Sequence, residues 1–438
     1  MVSRRQFLAL GGGATAAAAA AVGGTALWRT QMHERVNDSF GTDPTGASTA
    51  MGPRARSGRV LVVVQLGGGN DGLNTLVPLG DGRYHDNRPS LGVAEADALT
   101  LTGLTTHGLH PALAPLAGWW DRGRLAALEG IGLPGQSRSH FQALDTWWRA
   151  APGEAQRTGW LGRWLDAVGD PSDPLRAIAI GSGSPALLGV EATSTVIQDP
   201  TDFTLRAPRG VTADELTAAF LATATPMSGD SLLAAAQQSF PATLAAVAAL
   251  QPALSPVPGA GGGADSRAPA DAGPVPPDGP APVLAPLLDA AARIIDLQLG
   301  TEVIVVSISG FDTHANQAAT HPVLLADVAR GIDGFLASIE AQGRADDVVL
   351  MTTSEFGRRV GENGSGTDHG QASVQFVAGA PVATAQVVGT SDLGHLDQGD
   401  LPIAVDTRSL YAAALDWLGG PTDDVLGGTY DRLGLLRA

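Results

Sequence analysis

Val60, Leu61, Val62, Val63 and Val64 stand consecutively, and Gly67, Gly68 and Gly69 follow almost at once. Aliphatic side chains that alternate with nothing polar leave no face for water. The run therefore reads as a strand buried on both sides in a parallel sheet, closed by a glycine-rich turn. Strand-like runs recur at residues 125–130, 303–308, 347–353 and 374–378. Helical spacing marks residues 113–122, 141–149, 284–299, 323–340 and 408–418, with Ser139 as the N-cap of the second. Strand, loop and helix in this order specify an α/β fold, a doubly wound, mostly parallel sheet with helices on both faces. No internal repeat is visible.

A chain of 438 residues with 44% hydrophobic content can close a large core. Residues 59–438 are expected to form one domain. Residues 31–58, polar and rich in Gly, Pro and Ser, read as a tether. Residues 252–282, mostly Pro, Gly, Ala and Asp, read as a disordered insertion within that domain. Twenty-seven basic residues against 44 acidic ones leave a net charge of −17, which argues against nucleic acid or an anionic membrane surface as partner. Every basic residue is Arg, so Schiff-base chemistry and a lysine phosphate loop are excluded. Cysteine is absent, which removes thiol catalysis, thiolate metal sites and disulfides. A metal site would have to be built from oxygen and imidazole.

Ser3, Arg4, Arg5, Gln6, Phe7 and Leu8, followed by an Ala-rich apolar run to about Leu27, read as a twin-arginine export signal. A membrane anchor is the other reading, since Gly24, Thr25 and Ala26 form only an approximate cleavage pattern. The expectation is export through the twin-arginine translocase to the periplasm, cell envelope or medium, with membrane contact through the N-terminal segment alone.

Ligands of open α/β sheets collect beyond the carboxyl ends of the strands. Four loops are expected there: 309–314, 354–359, 366–370 ahead of the Val374 strand, and the pair Asn70 and Asp71. Asp312 and His314 lie two apart, so an extended segment sends both to one side, where they could share an ion. A capping Asp and a hydrogen-bonded His are the plainer reading. Asp368 and His369 are neighbours, and Gly366 and Gly370 give their loop freedom to turn both inward. Glu355 could be a metal ligand, a general acid or base, or the ion-pair partner of Arg358. Charge balance among Arg358, Arg359, Glu355, Asp312 and Asp368 favours the ion pair. Arg358 could also clamp an oxyanion. Ser139, at a helix N-terminus, is either a nucleophile or a cap, and His140 either a base or an outer partner. Capping or surface roles suit His107 and His110. His33, His85, His321 and His395 carry no functional expectation. Trp119, Trp120, Trp147 and Trp148 read as helix packing.

Six motifs occur in order: Gly-Gly-Asn-Asp-Gly-Leu-Asn at 68–74, Ser-Arg-Ser-His-Phe at 137–141, Gly-Trp-Leu-Gly-Arg at 159–163, Phe-Asp-Thr-His at 311–314, Ser-Glu-Phe-Gly-Arg at 354–358 and Gly-Thr-Asp-His-Gly at 366–370. The set resembles the exported bacterial family called domain of unknown function 1501, itself similar to the alkaline phosphatase and sulfatase superfamily. The resemblance implies an alkaline-phosphatase-like fold, Asp312 and His314 as ligands of one metal, Asp368 and His369 as the late histidine region of that site, and Ser139 in the nucleophile's position. Two departures accompany it. The superfamily's first-strand Asp is replaced by Gly67–Gly69, with Asp71 displaced a few residues, and its late Asp-His pair appears as Glu355 and Phe356. Phe cannot bind a metal, so one ion or none is expected rather than two.

The resulting expectation is a hydrolase of phosphate or sulfate esters, with an anionic small molecule or glycan ester as substrate. Ser139 would attack, one divalent ion (Zn, Mn, Mg or Ca) would sit on Asp312, His314 and Asp368 or His369, and Arg358 would hold the oxyanion. No nucleotide cofactor is expected. The alternative is a non-catalytic exported protein for binding or assembly, using the same rim without turnover.

Overall fold

The Val60–Val64 run forms most of strand β1 (Val60–Gly67), and all five residues are buried. The computed structural model describes residues 58–151, 156–200, 209–223, 231–254 and 283–437. The export signal, residues 31–57 of the tether and residues 255–282 of the expected insertion lie outside the described residues, whereas residues 252–254, expected to begin that disordered insertion, instead end helix Ser231–Leu254.

After β1, strands β2 (Leu76–Pro78), β3 (Leu99–Leu101) and β4 (Leu104–Leu109) make a small antiparallel sheet. The chain returns to the main sheet as β5 (Leu125–Gly132), β6 (Ala177–Ile180), β7 (Thr195–Ile197), β8 (Val303–Ser309) and β9 (Val348–Thr353). An antiparallel ribbon, β10 (Arg358–Glu362) and β11 (Thr367–His369), precedes β12 (Ser373–Ala378), β13 (Gln386–Gly389) and β14 (Val405–Asp406). The main sheet has nine strands in the order β13, β5, β12, β9, β1, β8, β6, β7, with β14 also on β5. Pairing is parallel from β9 through β1, β8 and β6 to β7, and β13 and β14 run parallel to β5. Strand β12 is antiparallel to both its neighbours, β5 and β9.

That one reversal positions the site. The carboxyl ends of β1, β5, β8 and β9 share a rim, as the sequence led us to expect. In an all-parallel sheet, residues 366–370 ahead of β12 would open on the opposite rim. Because β12 runs backwards, its first residue, Ser373, pairs with Ile131 near the end of β5, and the loop before it reaches the functional rim.

Alternate residues of β1 face opposite layers. Leu61 and Val63 share a core with Trp160 and Trp164 of helix Trp160–Ala167 and Tyr411 and Leu415 of helix Thr407–Leu418. Val62 and Val64 point the other way and are equally buried. Helix Leu284–Asp296 packs on β8 and against helix Gln317–Ala341. Burying one such aliphatic side chain stabilises the fold by roughly 1.5–3 kcal/mol. The long helix begins earlier than the expected residue 323, with Pro322 inside it.

The described residues fall in two compact units, and everything above belongs to the larger. The smaller, within Thr201–Ser255, contains helices Ala213–Thr223 and Ser231–Leu254. Its first helix opens on a reciprocal cap, Glu215 N–H donating to Thr212 Oγ1 at 3.2 Å and Thr212 N–H to Glu215 Oε2 at 2.8 Å. No helix among the described residues is long and apolar enough to cross a membrane.

Candidate metal centre

Three loops interlock at the rim because glycine lets their backbones touch. Gly68, at φ +119°, lies so close to the 311–312 peptide that a Cβ there would stand 2.3 Å from Asp312 N. Its N–H donates to Glu355 Oε1 at 2.7 Å, joining the ends of β1, β8 and β9. A Cβ on Gly366 would meet Thr313 O at 2.3 Å, so the loop before β11 is pressed against the same segment. The loop after β5 is tied in by Gln136, whose amide donates to Gln371 O at 2.9 Å and whose carbonyl accepts from Trp147 Nε1 at 3.0 Å.

Asp312 is the hub. Its Oδ1 lies 3.1 Å from His314 Nε2 and 3.0 Å from His369 Nε2, and its Oδ2 lies 3.4 Å from His140 Nε2. The Nε2 atoms of His314 and His369 are 2.8 Å apart. One ligand atom from each of His140, Asp312 and His369 lies within 4.8 Å of the others. Each imidazole is anchored from behind through Nδ1: His140 to Glu355 Oε1 at 3.0 Å, His369 to the Arg138 carbonyl at 2.8 Å, and His314 to Asp368 Oδ1 at 3.4 Å. A carbonyl or a carboxylate can only accept, so each Nδ1 contact calls for a proton on Nδ1, which would free the Nε2 lone pair for an ion, while the Nε2 contacts to the Asp312 carboxylate call for the proton on Nε2. In the Nδ1-protonated form, lone pairs and a carboxylate face one another around Asp312, an arrangement that a cation among them would stabilise. Tetrahedral ligand atoms around zinc stand roughly 3.3 Å apart; the contacts to Asp312 are close to that, and the set whose ligand atoms all lie within 4.8 Å of one another is His140, Asp312 and His369, with His314 beside it against Asp312 and His369. The donor set therefore fits a metal ion.

Partial burial alone would raise the pKa of Asp312. Hydrogen bonds from Arg358 and His369, with the Arg358 charge, outweigh it and bring the value down to about 2. Arg358 is wholly buried. Its Nε donates to Gly69 O at 2.8 Å, its Nη1 to Thr367 O at 2.9 Å, and its Nη2 to Gly68 O at 2.5 Å, Phe311 O at 2.8 Å and Asp312 Oδ1 at 2.7 Å.

Two expectations are corrected by these contacts. Arg358 does not pair with Glu355: the chain between them bends through Gly357, whose missing Cβ would collide with Ala372 O, so the two side chains diverge. Glu355 pairs with His140 instead, and Arg358 with Asp312. Nor is Arg358 free to clamp an oxyanion, because its guanidinium is sealed under four carbonyls as a brace for the loops.

The other expected residues are placed as follows. Ser139 is the exposed N-cap residue of helix His140–Arg149, and its hydroxyl makes no capping bond. Asp368 is exposed, with Asn363 Nδ2 donating at 2.8 Å to the oxygen that anchors His314, and that bond is the first cause of its lowered pKa. Asp71 is not directed to the Asp312 group. Burial would raise its pKa, but the charges of Arg88 and His321 and hydrogen bonds from Arg88 and Gln317 lower it, and its carboxylate is spent on Arg88, Gln317 and the N–H of Asn74. His110 caps the turn Pro111–Leu113, accepting from Ala112 N at 3.0 Å, but is buried rather than on the surface. His107 pairs with buried Glu129 at 3.2 Å. Trp119, Trp120 and Trp147 are core residues, and Trp148 packs against the core.

Phe356 fills the place where the resemblance implied a second histidine. Its ring lies 4.5 Å from that of His369 and 5.0 Å from that of His140, against Gly69. Sequence reasoning gave His140 as a base or an outer partner; the structure brings its Nε2 to 3.4 Å from Asp312 Oδ2, and its position after β5 was the available signal.

Residues 282–433 match the family described as "Protein of unknown function (DUF1501)". The matched stretch carries three of the six motifs read from the sequence, those at 311–314, 354–358 and 366–370. No curated protein matches the chain. Among solved structures, the chain is similar to the lipoteichoic acid synthase LtaP from Listeria monocytogenes, at 11% identity over 92% of this chain and 82% of that one, with a TM-score of 0.39. It is also similar to a protein in the alkaline phosphatase superfamily from Vibrio parahaemolyticus, at 8% identity over 86% and 70%, with a TM-score of 0.36. A third is the phosphonate monoester hydrolase SpPMH from Silicibacter pomeroyi, at 13% identity over 86% and 76%, with a TM-score of 0.35.

Proposed function

We propose that this chain is an exported, metal-dependent hydrolase of phosphate or sulfate esters. The observation that carries the reading is the convergence of three Nδ1-anchored imidazoles on the Asp312 carboxylate. His140, His314, His369 and Asp312 would hold one divalent ion. Of Zn, Mn, Mg and Ca, a donor set of three imidazoles suits zinc best and the two hard ions least. Such an ion, when bound, supplies a Lewis acid that stabilises negative charge on the ester's non-bridging oxygens.

The chain's own residues do the rest. Glu355, Asp368 and the Arg138 carbonyl fix the rings so that Nε2 faces the centre. Arg358 keeps Asp312 ionised and in place. Ser139, exposed at the head of helix His140–Arg149, offers the nucleophilic hydroxyl, and the positive end of that helix favours its alkoxide. The acidic chain suits a compact anionic ester that the metal would neutralise, and argues against polyanions such as nucleic acid. Export by the twin-arginine route rests on Ser3–Leu8, and its test is fractionation of cells expressing the full chain with Arg4 and Arg5 intact or replaced.

The test of the activity combines elemental analysis with aryl phosphate and aryl sulfate assays. About one zinc per chain, turnover of either ester, and a loss of roughly a hundredfold or more in Ser139→Ala are expected. Metal-dependent turnover unchanged in Ser139→Ala would remove the hydroxyl from the mechanism. A second reading, a non-catalytic protein for binding or assembly, is favoured by the burial of Arg358 and Phe356, which leaves the rim without its expected oxyanion clamp. Bound zinc without turnover of any ester supports that reading.

A further inference from the structure

Between helix His140–Arg149 and the sheet lies a cavity of about 20 Å³, room for about one water molecule. Its walls are largely apolar and include Trp147, Trp148, Trp160 and Tyr411. Among the described residues, two of its lining side chains carry a buried polar atom with no protein partner, Glu355 Oε2 and Ser184 Oγ. Among the other polar lining groups, Gln65 Oε1 accepts from Trp148 Nε1 at 3.0 Å, Ser354 Oγ donates to Leu66 O and accepts from Asn70 N, both at 2.9 Å, and Tyr411 Oη donates to Trp147 O at 3.3 Å. Glu355 is 2% exposed, and its Oε1 already accepts from Gly68 N and His140 Nδ1. A buried carboxylate oxygen left without a donor in a largely apolar wall is costly, whereas one donor of the right size removes the cost.

We infer that this cavity is a hydration site whose single water donates to Glu355 Oε2 and bonds Ser184 Oγ, and that the carboxylate so held is the positioning residue of His140. The inference rests on the metal reading above for its consequence, since His140 is one of the proposed ligands. Its logic is local. A satisfied carboxylate in an apolar wall is a fixed acceptor. A fixed acceptor on Nδ1 turns the lone pair of Nε2 toward Asp312. Ser184, which precedes the short turn Pro185–Leu187 after β6, thereby reaches the site through one water.

Ring-nitrogen NMR of the metal-free full chain reads the tautomer without any activity assay. In the wild type, His140 is expected to carry its proton on Nδ1 alone, and a high-resolution crystal structure is expected to show density for one water between Glu355 and Ser184. Glu355→Leu should give mixed tautomers at His140 and weaken zinc, measured by chelator competition, ten- to a hundredfold. Glu355→Gln keeps Oε1 as an acceptor, so it should retain the tautomer and lose less affinity. Ser184→Val fills the cavity and should weaken zinc severalfold while leaving the rings of His314 and His369 unchanged. A cavity without water density, or a His140 ring indifferent to Glu355→Leu, overturns the inference. A wild type that binds no zinc overturns the metal reading instead, while the His140 spectrum and the cavity density still decide this one.

Discussion

Asp312 is nearly half exposed, yet it is the one carboxylate that pairs with the buried Arg358 guanidinium among the described residues. Water screens it on one side and three histidines and an arginine crowd the other, which explains both its low pKa and its capacity to serve several partners at once. Asp312→Asn keeps the shape and removes the charge. Its cost to stability is expected to be about 2–4 kcal/mol, because the guanidinium left behind is sealed from water and keeps only its carbonyl partners and a neutral amide. Its cost to the centre is expected to be nearly complete, with zinc content falling below a tenth of the wild-type level. Urea denaturation and elemental analysis on the same preparation separate the two effects. A variant that keeps its zinc would place the ion elsewhere.

At the level of the element, the rim depends on loops that approach one another without side chains in between. Gly68→Ala adds a Cβ at 2.3 Å from a backbone nitrogen and in a region of φ that other residues avoid, so a loss of roughly 3 kcal/mol or more is expected. Thermal melting would show the loss, and zinc affinity should fall with it because Asp312 is the residue displaced. A melting temperature within a degree or two of the wild type would mean that the interlock is looser than described. How much of this was legible in the sequence follows from the same local physics. The apolar runs of β1, β8, β9 and β12 announced themselves because a strand buried on two faces needs no polar alternation. The four residues of β6 were too short a run to register. The direction of β12 is carried by no residue within it. It was encoded in the connection, since residues 354–372 contain no helical period and parallel strands need a crossover, usually a helix. Spacing placed Asp312, His314, Asp368 and His369 correctly on one rim. The partner of Glu355 was beyond it, because three residues of separation mean adjacency only on a helix, and this segment bends.

Across the whole molecule, the same burial that holds the rim sets how the fold responds to acid. Behind the site His321 is buried against Asn70, its Nε2 2.9 Å from Asn70 Oδ1, and its ring centroid stands 6.2 Å from that of His110. Burial pushes the pKa of each down to about 4. In the unfolded chain both return to roughly 6.5. Between those values the unfolded state binds protons that the folded state refuses, so stability rises with pH across the window and is lost on acidification from about 6.5 toward 4. For His321 the loss is on the order of 3 kcal/mol when the window has been crossed. The carboxylates act later and in a separate range. Asp312, held at about 2, contributes stability that is present above the ordinary carboxylate value and disappears only as pH falls through its own. Acid unfolding should therefore begin well above the carboxylate range, with the urea midpoint lower at pH 4.5 than at pH 7.5. His321→Gln can still donate to Asn70 but cannot take up the proton, so it should flatten that slope by about one proton's worth. A slope identical in wild type and variant would show that His321 stays neutral in both states or charged in both, and that the buried pair does not govern the acid limit of the fold.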